Sequence, residues 1–147
     1  MLGEVSKGRL IGAFIIKGQL RRPKYIRVEN TRYSHAFFFC CSTADPYVKV
    51  SMVMNGKVAK KKKTSVVKKN NNPVFNEAFS FTIPPSCLDR VSLMVSVLAN
   101  PRLGSSKKRI GRAIVGPYMY STGAGLSHWK DMLASPKSAV AQWHALI

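Results

Sequence analysis

Acidic residues are scarce in this chain. Only 6 of its 147 residues are Asp or Glu, against 24 Lys or Arg, so the formal net charge is +18. So few carboxylates argue against a paired general acid and base. The GxSxG nucleophile motif and the glycine-rich phosphate loops are absent as well. We therefore expect a non-enzymatic domain without a cofactor, whose excess positive charge selects acidic partners.

Cysteine and long apolar runs are also lacking. The three cysteines are Cys40, Cys41 and Cys87, and their odd number and adjacent pair fit neither a disulfide framework nor a zinc site. This pattern predicts a reduced, intracellular chain. No apolar run reaches the roughly 18 residues that suggest a transmembrane helix. The start of the chain lacks the form of a signal peptide.

Short runs rich in β-branched and aromatic residues, separated by turns, predict an all-β antiparallel sandwich with one late helix. Phe79, Phe81 and Ile83 alternate along one run and should share a core face. The first 44 residues carry weaker signals, with a strand at 10–16 and a strand or loop at 24–30. The remaining predicted strands are 47–54, 57–67, 76–83, 91–99, 110–116 and 140–147, and the predicted helix is Gly125–Ala134.

The strongest chemical feature is a lysine-rich strand. Seven lysines and no acid lie between Lys57 and Lys69. Asn55-Gly56 just before them predicts a tight β-hairpin, because both turn positions favour positive φ. Each basic residue near an anionic leaflet contributes about 1 kcal/mol. We expect an anionic surface as the partner, although a solvated charged strand or a nuclear localisation signal would share this composition.

Alternation along this strand should separate the lysines into two sets. Lys61 and Lys63 should point to one face and grip neighbouring headgroup phosphates. Lys60 and Lys62 should point to the other face. His128 and His144 each neighbour a tryptophan, Trp129 and Trp143, and this arrangement predicts a packed aromatic cluster with a structural role.

Six short motifs stand out, namely Asp45–Val50, Asn55–Lys57, Lys60–Thr64, Asn72–Phe79, His128–Leu133 and Gln142–Leu146. Their order and approximate spacing resemble those of the second C2 domain (C2B) of synaptotagmins, and the resemblance covers residues 44–147. The resemblance implies an eight-stranded antiparallel C2 sandwich whose first strands are incomplete in this chain, with a short C-terminal helix, and it assigns 44–147 to a C2B-like domain. It leaves 1–43 as an atypical segment, partly strand or disordered, which we attribute to an alternative exon or an imperfect gene model.

The resemblance also implies a function and its residues. It predicts phosphatidylserine and phosphoinositide binding, contacts with SNARE proteins and a clathrin adaptor, and a role in vesicle exocytosis. The implied location is cytoplasmic, peripheral at the plasma membrane or a vesicle membrane. The lipid-binding residues would be Tyr47, Lys49, Lys60, Lys61, Lys62 and Lys63, and the docking residues would be Lys137, Trp143, His144 and Leu146. Lys137-Ser138 replaces the two adjacent arginines that the family often carries there.

Calcium-sensing members of the family hold Ca²⁺ with five aspartates on two loops. Here Asp45 is the single remaining candidate ligand, because Phe39 lies where the earlier aspartate is expected. The second loop reads Ala99-Asn100-Pro101 and is followed by Lys107-Lys108. Ca²⁺ needs six to eight oxygen ligands, and a basic loop repels it. The sequence therefore predicts binding that is independent of calcium.

A basic nucleic-acid-binding β domain is the alternative, given a pI of about 10.4. Such proteins place aromatic side chains among their basic residues so that bases can stack on them. The aromatic residues Phe79, Phe81, Trp129 and Trp143 instead follow core-like patterns. This arrangement favours the lipid-binding interpretation over nucleic acid.

Overall fold

The computed structural model describes residues 10–17, 25–29, 36–37, 45–68, 74–75, 77–100, 106–135 and 140–147. The strands are β1 (Leu10–Lys17), β2 (Tyr25–Glu29), β3 (Ala36–Phe37), β4 (Asp45–Met54), β5 (Lys57–Lys63), β6 (Val74–Phe75), β7 (Ala78–Ile83), β8 (Val91–Asn100), β9 (Lys108–Val115) and β10 (Ala141–Ala145). Helix α1 (Gly123–Ala134) lies between β9 and β10, and a short 3₁₀ turn occupies Pro85–Cys87.

Two four-stranded antiparallel sheets form the sandwich. One has the strand order β10-β2-β1-β7 and the other β5-β4-β8-β9, while β3 pairs with β6 as a separate short ribbon. These eight strands and the late helix confirm the predicted all-β antiparallel sandwich. Helix α1 begins two residues earlier than predicted, and β9 begins at Lys108 inside the predicted loop.

The core lies between the two sheets and follows the alternation of their strands. On β7, Phe79, Phe81 and Ile83 are all buried, which confirms the face predicted for them. The second sheet contributes side chains from β4, β8 and β9 to the core, and α1 contributes side chains as well. The hydrophobic core residues from these elements are Val48, Val50, Met52, Val91, Leu93, Val95, Val97, Ala113, Val115, Trp129 and Met132.

Strands β1 and β2 fall within the segment 1–43. Strand β1 pairs with β7 over six residues, from Leu10 opposite Ile83 to Ile15 opposite Ala78. Strand β2 pairs with β10, with Arg27 opposite Trp143. Both strands supply partners to elements beyond residue 44. The boundary at residues 43–44 stays a prediction.

Strand β5 ends at Lys63, four residues before the predicted end. The chain nevertheless continues along β4, because Thr64 N donates to Val48 O at 2.8 Å and Val67 N donates to Pro46 O at 3.0 Å. Thr64 Oγ1 also accepts a hydrogen bond from Val48 N at 3.0 Å. A buried side chain thus replaces a main-chain partner and ends the regular ladder.

Candidate functional site

The β4–β5 hairpin positions the lysine-rich strand. Its turn residues both have positive φ, 50° at Asn55 and 74° at Gly56, as the Asn-Gly pair predicts. Asn55 N also donates to Arg90 O at 3.1 Å, which ties the turn to the residue before β8. The turn therefore sets the pairing of Lys57 and Val58 with β4, and a register shift between Met52 and Val53 then places Lys60 opposite Met52.

This register divides the lysines between the two faces of the sheet. Lys60 lies opposite Met52 and Lys62 opposite Val50, and both partners are core residues. Directly opposed residues share a face of the sheet. The side chains of Lys60 and Lys62 therefore leave β5 on the face that packs against the core, at the edge of the sandwich. Lys61 and Lys63 start from the other face. All seven residues of β5 are nevertheless solvent-exposed.

The face that carries Lys61 and Lys63 is basic across the width of the sheet. Lys63 is paired with Lys49, Lys49 with Ser96, and Ser96 with Arg112. Adjacent strands are about 4.8 Å apart, so this row brings charges from β5, β4 and β9 onto one surface. We call Lys49, Lys61, Lys63 and Arg112 the basic face. Arg112 was not predicted, because its inclusion depends on the pairing of β8 with β9.

Small side chains form the floor of the basic face. Ser51 lies between Lys61 and Met94 in the register, and Ser96 lies between Lys49 and Arg112. Both serines are buried, whereas Lys49 and Arg112 are partly exposed and the β5 lysines are exposed. The longer cationic side chains therefore stand above a short-chain floor, which gives an anion access to several charges at once.

Lys62 makes an internal contact. Its Nζ lies 5.6 Å from the centroid of the Phe81 ring on β7, a distance at which a cation is attracted to an aromatic face. Phe81 is only 1% exposed. Lys62 on the edge strand of one sheet thus contacts the core residue Phe81 of the other sheet. This role differs from the lipid contact predicted for Lys62.

Tyr47 corrects the predicted lipid-binding set. It lies on the same strand face as Lys49, opposite Leu98, but is only 8% exposed. Its ring therefore offers a headgroup little surface. Lys49 keeps partial exposure and belongs to the basic face.

Asp45, the remaining candidate calcium ligand, begins β4 and lies opposite Asn100 of β8. Lys107 and Lys108 at the start of β9 are exposed. Within the part of the chain that the structure describes, no group of three or more His, Cys, Asp or Glu residues could hold a metal ion. Phe39 and residues 101–105 lie outside that part. Calcium independence stays a prediction.

The predicted docking residues do not form one surface. Trp143 is 44% exposed, whereas His144 is 3% exposed, because neighbouring residues of a strand point to opposite faces. Leu146 is half-buried and packs against the core. Lys137 lies outside the described residues. Burial removes His144 from the residues that a partner could contact directly, and Trp143 is too exposed for the core position predicted for it.

His128 and His144 instead form a buried pair between α1 and β10. His128 Nδ1 lies 2.8 Å from His144 Nε2, and His128 Nε2 lies 3.3 Å from Val140 O. Burial lowers the pKa of His128 despite its bond to Val140 and the nearby charge of Asp131. Burial lowers the pKa of His144 to about 4, and repulsion from His128, when that residue is protonated, acts in the same direction. Both imidazoles are therefore neutral at neutral pH.

Comparison with known families places the fold. Residues 24–132 match the family model described as "C2 domain". This chain belongs to the C2 domain family. Its all-β sandwich is thus that of a C2 domain.

Curated relatives at about half identity are synaptotagmins. The chain is 50% identical over 103 residues to human "Synaptotagmin-2", which covers 70% of this chain and 24% of that protein. It is 48% identical over 103 residues to "Synaptotagmin 1" of Drosophila melanogaster, covering 70% of this chain and 21% of the relative. This C2 domain therefore spans less than a quarter of the length of these relatives, and the synaptotagmin family is supported for the domain.

Solved structures support the same fold. A C2 domain of RIM from Drosophila gives a TM-score of 0.53 at 20% identity, covering 93% of this chain and 98% of that one. The third C2 domain of KIAA1228 protein gives a TM-score of 0.55 at 24% identity, covering 100% of this chain and 94% of that one. Among the described helical residues, no segment is both long and apolar enough to cross a bilayer.

Proposed function

We propose that this C2 domain binds anionic membrane lipids, phosphatidylserine and phosphoinositides, without calcium, and acts in vesicle trafficking and exocytosis. C2 domains of the synaptotagmin type are binding modules for membrane lipids. The observation that carries the proposal is the basic face, where four cations from three strands lie on one surface of a sheet. The proposed location is the cytoplasmic side of the plasma membrane or of a vesicle.

The spacing of the basic face suits clustered phosphates. Lys61 and Lys63 are two residues apart on a strand, which separates their Cα atoms by about 6.5 Å. Lys49 lies one strand away from Lys63. A headgroup with several phosphates can therefore contact more than one cation at once. At about 1 kcal/mol for each basic residue, four cations would tighten binding roughly a thousandfold, and salt should weaken the binding.

Calcium independence follows from the shortage of acidic ligands. Asp45 is one carboxylate where Ca²⁺ needs several oxygens to replace its water shell. The cations Lys107 and Lys108 lie at the start of β9, just after the second loop, and would repel a divalent cation. The basic face then supplies the attraction to lipid without an ion.

Protein partners form a second part of the proposal. SNARE proteins and a clathrin adaptor are implied by the resemblance to synaptotagmins, and their acidic segments could use the basic face. Trp143, exposed on β10, is a residue type often found at binding hot spots, and half-buried Leu146 lies near it in sequence. We propose Trp143 as the aromatic contact of a docking surface.

Sedimentation with liposomes tests the lipid proposal. The full chain is compared with the double variant Lys61→Ala/Lys63→Ala on vesicles with phosphatidylserine and phosphatidylinositol bisphosphate, in EDTA. Loss of two lysines should weaken binding about thirtyfold. The control Lys107→Ala/Lys130→Ala removes the same charge from exposed positions outside the basic face and should bind nearly as well as the parent.

Equal losses in the two double variants would mean that only the net charge matters, and would contradict a defined lipid site. Duplex and single-stranded DNA at matched salt provide the second arm. Affinity for DNA equal to that for the vesicles would favour the nucleic-acid alternative. Preference for vesicles with phosphatidylinositol bisphosphate over vesicles with phosphatidylserine alone would support the phosphoinositide part of the proposal.

A further inference from the structure

A serine hydroxyl is buried beneath the basic face. Ser51 is only 1% exposed, and its neighbours on β4, Val50 and Met52, are core residues. Because successive side chains of a strand point to opposite faces, Ser51 points away from the core. Its side chain is therefore buried on the side of the sheet that carries the lysines.

The Ser51 hydroxyl has no hydrogen-bond partner among the residues that the structure describes, although Ser51 Oγ is fully buried. Buried polar groups are nearly always paired, and leaving a hydroxyl unpaired is unfavourable. A ligand that brings oxygen acceptors into the basic face would pair it. Ser51 is thus suited to contact a ligand more than to stabilise the free domain.

Three lysines surround Ser51 on this face. Lys61 lies directly opposite Ser51, and Lys63 lies directly opposite Lys49. Directly opposed Cβ atoms are about 5 Å apart, and Lys49 is two residues from Ser51 along β4, at about 6.5 Å. The four positions form a rectangle with a lysine at three corners and the short serine at the fourth. We call Lys49, Ser51, Lys61 and Lys63 the serine frame.

The cover over Ser51 comes from the longer side chains of its own face. Met94 lies opposite Ser51 on β8 and is partly exposed, and Lys61 opposite it on β5 is exposed. A lysine carries its charge on a flexible four-carbon stem. Lys49, Lys61 and Lys63 can therefore turn toward an anion and uncover the hydroxyl between them.

We propose that the Ser51 hydroxyl donates a hydrogen bond to a phosphate monoester on an inositol lipid headgroup, and that this bond distinguishes phosphoinositides from phosphatidylserine. The inference rests on the lipid binding proposed for the basic face. A phosphate monoester carries about 1.5 to 2 negative charges near neutral pH and three strong acceptor oxygens. These match the three ammonium groups and the hydroxyl of the serine frame.

Headgroup chemistry explains the selectivity. A phosphate monoester projects freely from the inositol ring, so it can enter between the lysine stems as far as the floor. The phosphate of phosphatidylserine is a diester, which is bonded on both sides and cannot enter in this way. Its carboxylate lies beside an ammonium group, which the three lysines repel. Phosphatidylserine therefore binds the lysines through charge and leaves the Ser51 hydroxyl unpaired.

Calorimetric titration of the full chain with inositol 1,4,5-trisphosphate tests the contact directly. Ser51→Ala should weaken binding about tenfold, because hydrogen bonds to charged groups are the stronger ones. On vesicles of matched charge, Ser51→Ala should lose about tenfold in affinity with phosphatidylinositol bisphosphate. With phosphatidylserine it should stay within about twofold, because no charge is removed.

The matched control is Ser92→Ala. Ser92 is another buried serine on the same face of the sheet, but it lies opposite Val53 and away from the lysines. Ser92→Ala should stay within about twofold of the parent on every ligand. Equal losses of Ser51→Ala on the two kinds of vesicle, or its unchanged affinity for the trisphosphate, would overturn the inference.

Thermal unfolding is the second readout. The midpoint of Ser51→Ala should equal or exceed that of the parent, because an unpaired buried hydroxyl stabilises nothing. A larger fall in Ser51→Ala than in Ser92→Ala would show that the hydroxyl is already paired in the free domain, and would overturn the inference. Trisphosphate binding without vesicle binding would assign the site to a soluble inositol phosphate and overturn the lipid as its source.

The variant Lys61→Ala/Lys63→Ala separates this inference from the lipid proposal. Loss of vesicle binding in that variant, with no selective loss in Ser51→Ala, would overturn the role of Ser51 and leave the basic face as the lipid site. Full vesicle binding in Lys61→Ala/Lys63→Ala would overturn the lipid proposal, and the inference with it.

Discussion

Lys62 Nζ lies 5.6 Å from the centroid of the Phe81 ring, so the lysine-rich strand contacts the core of the opposite sheet. The consecutive lysines of this strand therefore have two different roles: Lys62 contacts the core, and Lys61 and Lys63 belong to the basic face. Lys62 starts from the core side, opposite Val50, while Lys61 and Lys63 start from the face that carries Lys49. A charge count treats these residues as equivalent, but their surroundings differ.

Replacing Lys62 should lower stability, and replacing Lys61 should not. We expect Lys62→Ala to reduce the free energy of unfolding by about 1 kcal/mol, because it removes a cation–π contact at a partly exposed edge. Lys61→Ala makes the same charge change on the same strand and serves as the control, with a change within about 0.5 kcal/mol. Urea denaturation at neutral pH measures both, and equal values would contradict the structural role of Lys62.

The two tryptophans should respond differently to truncation. Trp129 on α1 is buried, and Trp143 on β10 is 44% exposed. Trp129→Ala should cost about 3–5 kcal/mol of unfolding free energy, because it leaves a cavity in the core. Trp143→Ala should cost much less, and it should weaken binding to a SNARE or adaptor partner if Trp143 is the docking contact. A loss of stability at Trp143 as large as that at Trp129 would contradict its assignment to the surface.

The buried histidine pair should make stability depend on pH. The pKa of His144 is about 4 in the folded protein, against 6.5 for an unperturbed histidine in the unfolded chain, so the unfolded chain binds more protons between these values. Stability is fully present above pH 6.5 and falls as the pH drops toward 4, by roughly 2–3 kcal/mol from this residue. His128 contributes in the same direction, because its pKa is also lowered.

Urea denaturation at pH 7.5 and pH 4.5 measures this dependence, and His144→Gln should flatten it. The variant keeps a donor for His128 Nδ1 but cannot take up a proton in this range. Acid sensitivity of the same size in the parent and in His144→Gln would place its origin elsewhere in the chain.

Calcium should have no effect on lipid binding. Asp45 supplies one carboxylate, and Lys107 and Lys108 lie at the start of β9. Calorimetric titration should detect no Ca²⁺ site of micromolar to sub-millimolar affinity, and liposome binding should be equal in EDTA and in millimolar Ca²⁺. A measurable calorimetric site, or binding that requires the ion, would mean that other residues complete a coordination shell.

Local features of the site could be predicted from the sequence. The Asn-Gly turn and the alternation of a strand were enough to place Lys61 and Lys63 on one face and Lys60 and Lys62 on the other. Alternation also identified Phe79, Phe81 and Ile83 as core. These inferences depend on neighbours in sequence, which are also neighbours in a strand.

Features that depend on distant partners were missed. Arg112 joins the basic face only because β9 pairs with β8, and the bond between His128 and His144 depends on how α1 packs on β10. The error at Trp143 was avoidable, because the predicted strand 140–147 already implied that residues 143 and 144 point to opposite faces. The boundary at 43–44 calls for a truncation experiment, since a chain of 44–147 would lack β1, β2 and β3.

The most direct test of the account compares two double variants of β5 on vesicles with phosphatidylinositol bisphosphate. Lys61→Ala/Lys63→Ala and Lys60→Ala/Lys62→Ala remove equal charge from the same strand but from opposite faces. The account predicts a loss of about thirtyfold for the first pair and a clearly smaller loss for the second, which should instead lower thermal stability. Equal losses in affinity, or a larger loss for Lys60→Ala/Lys62→Ala, would contradict the basic face as the lipid site.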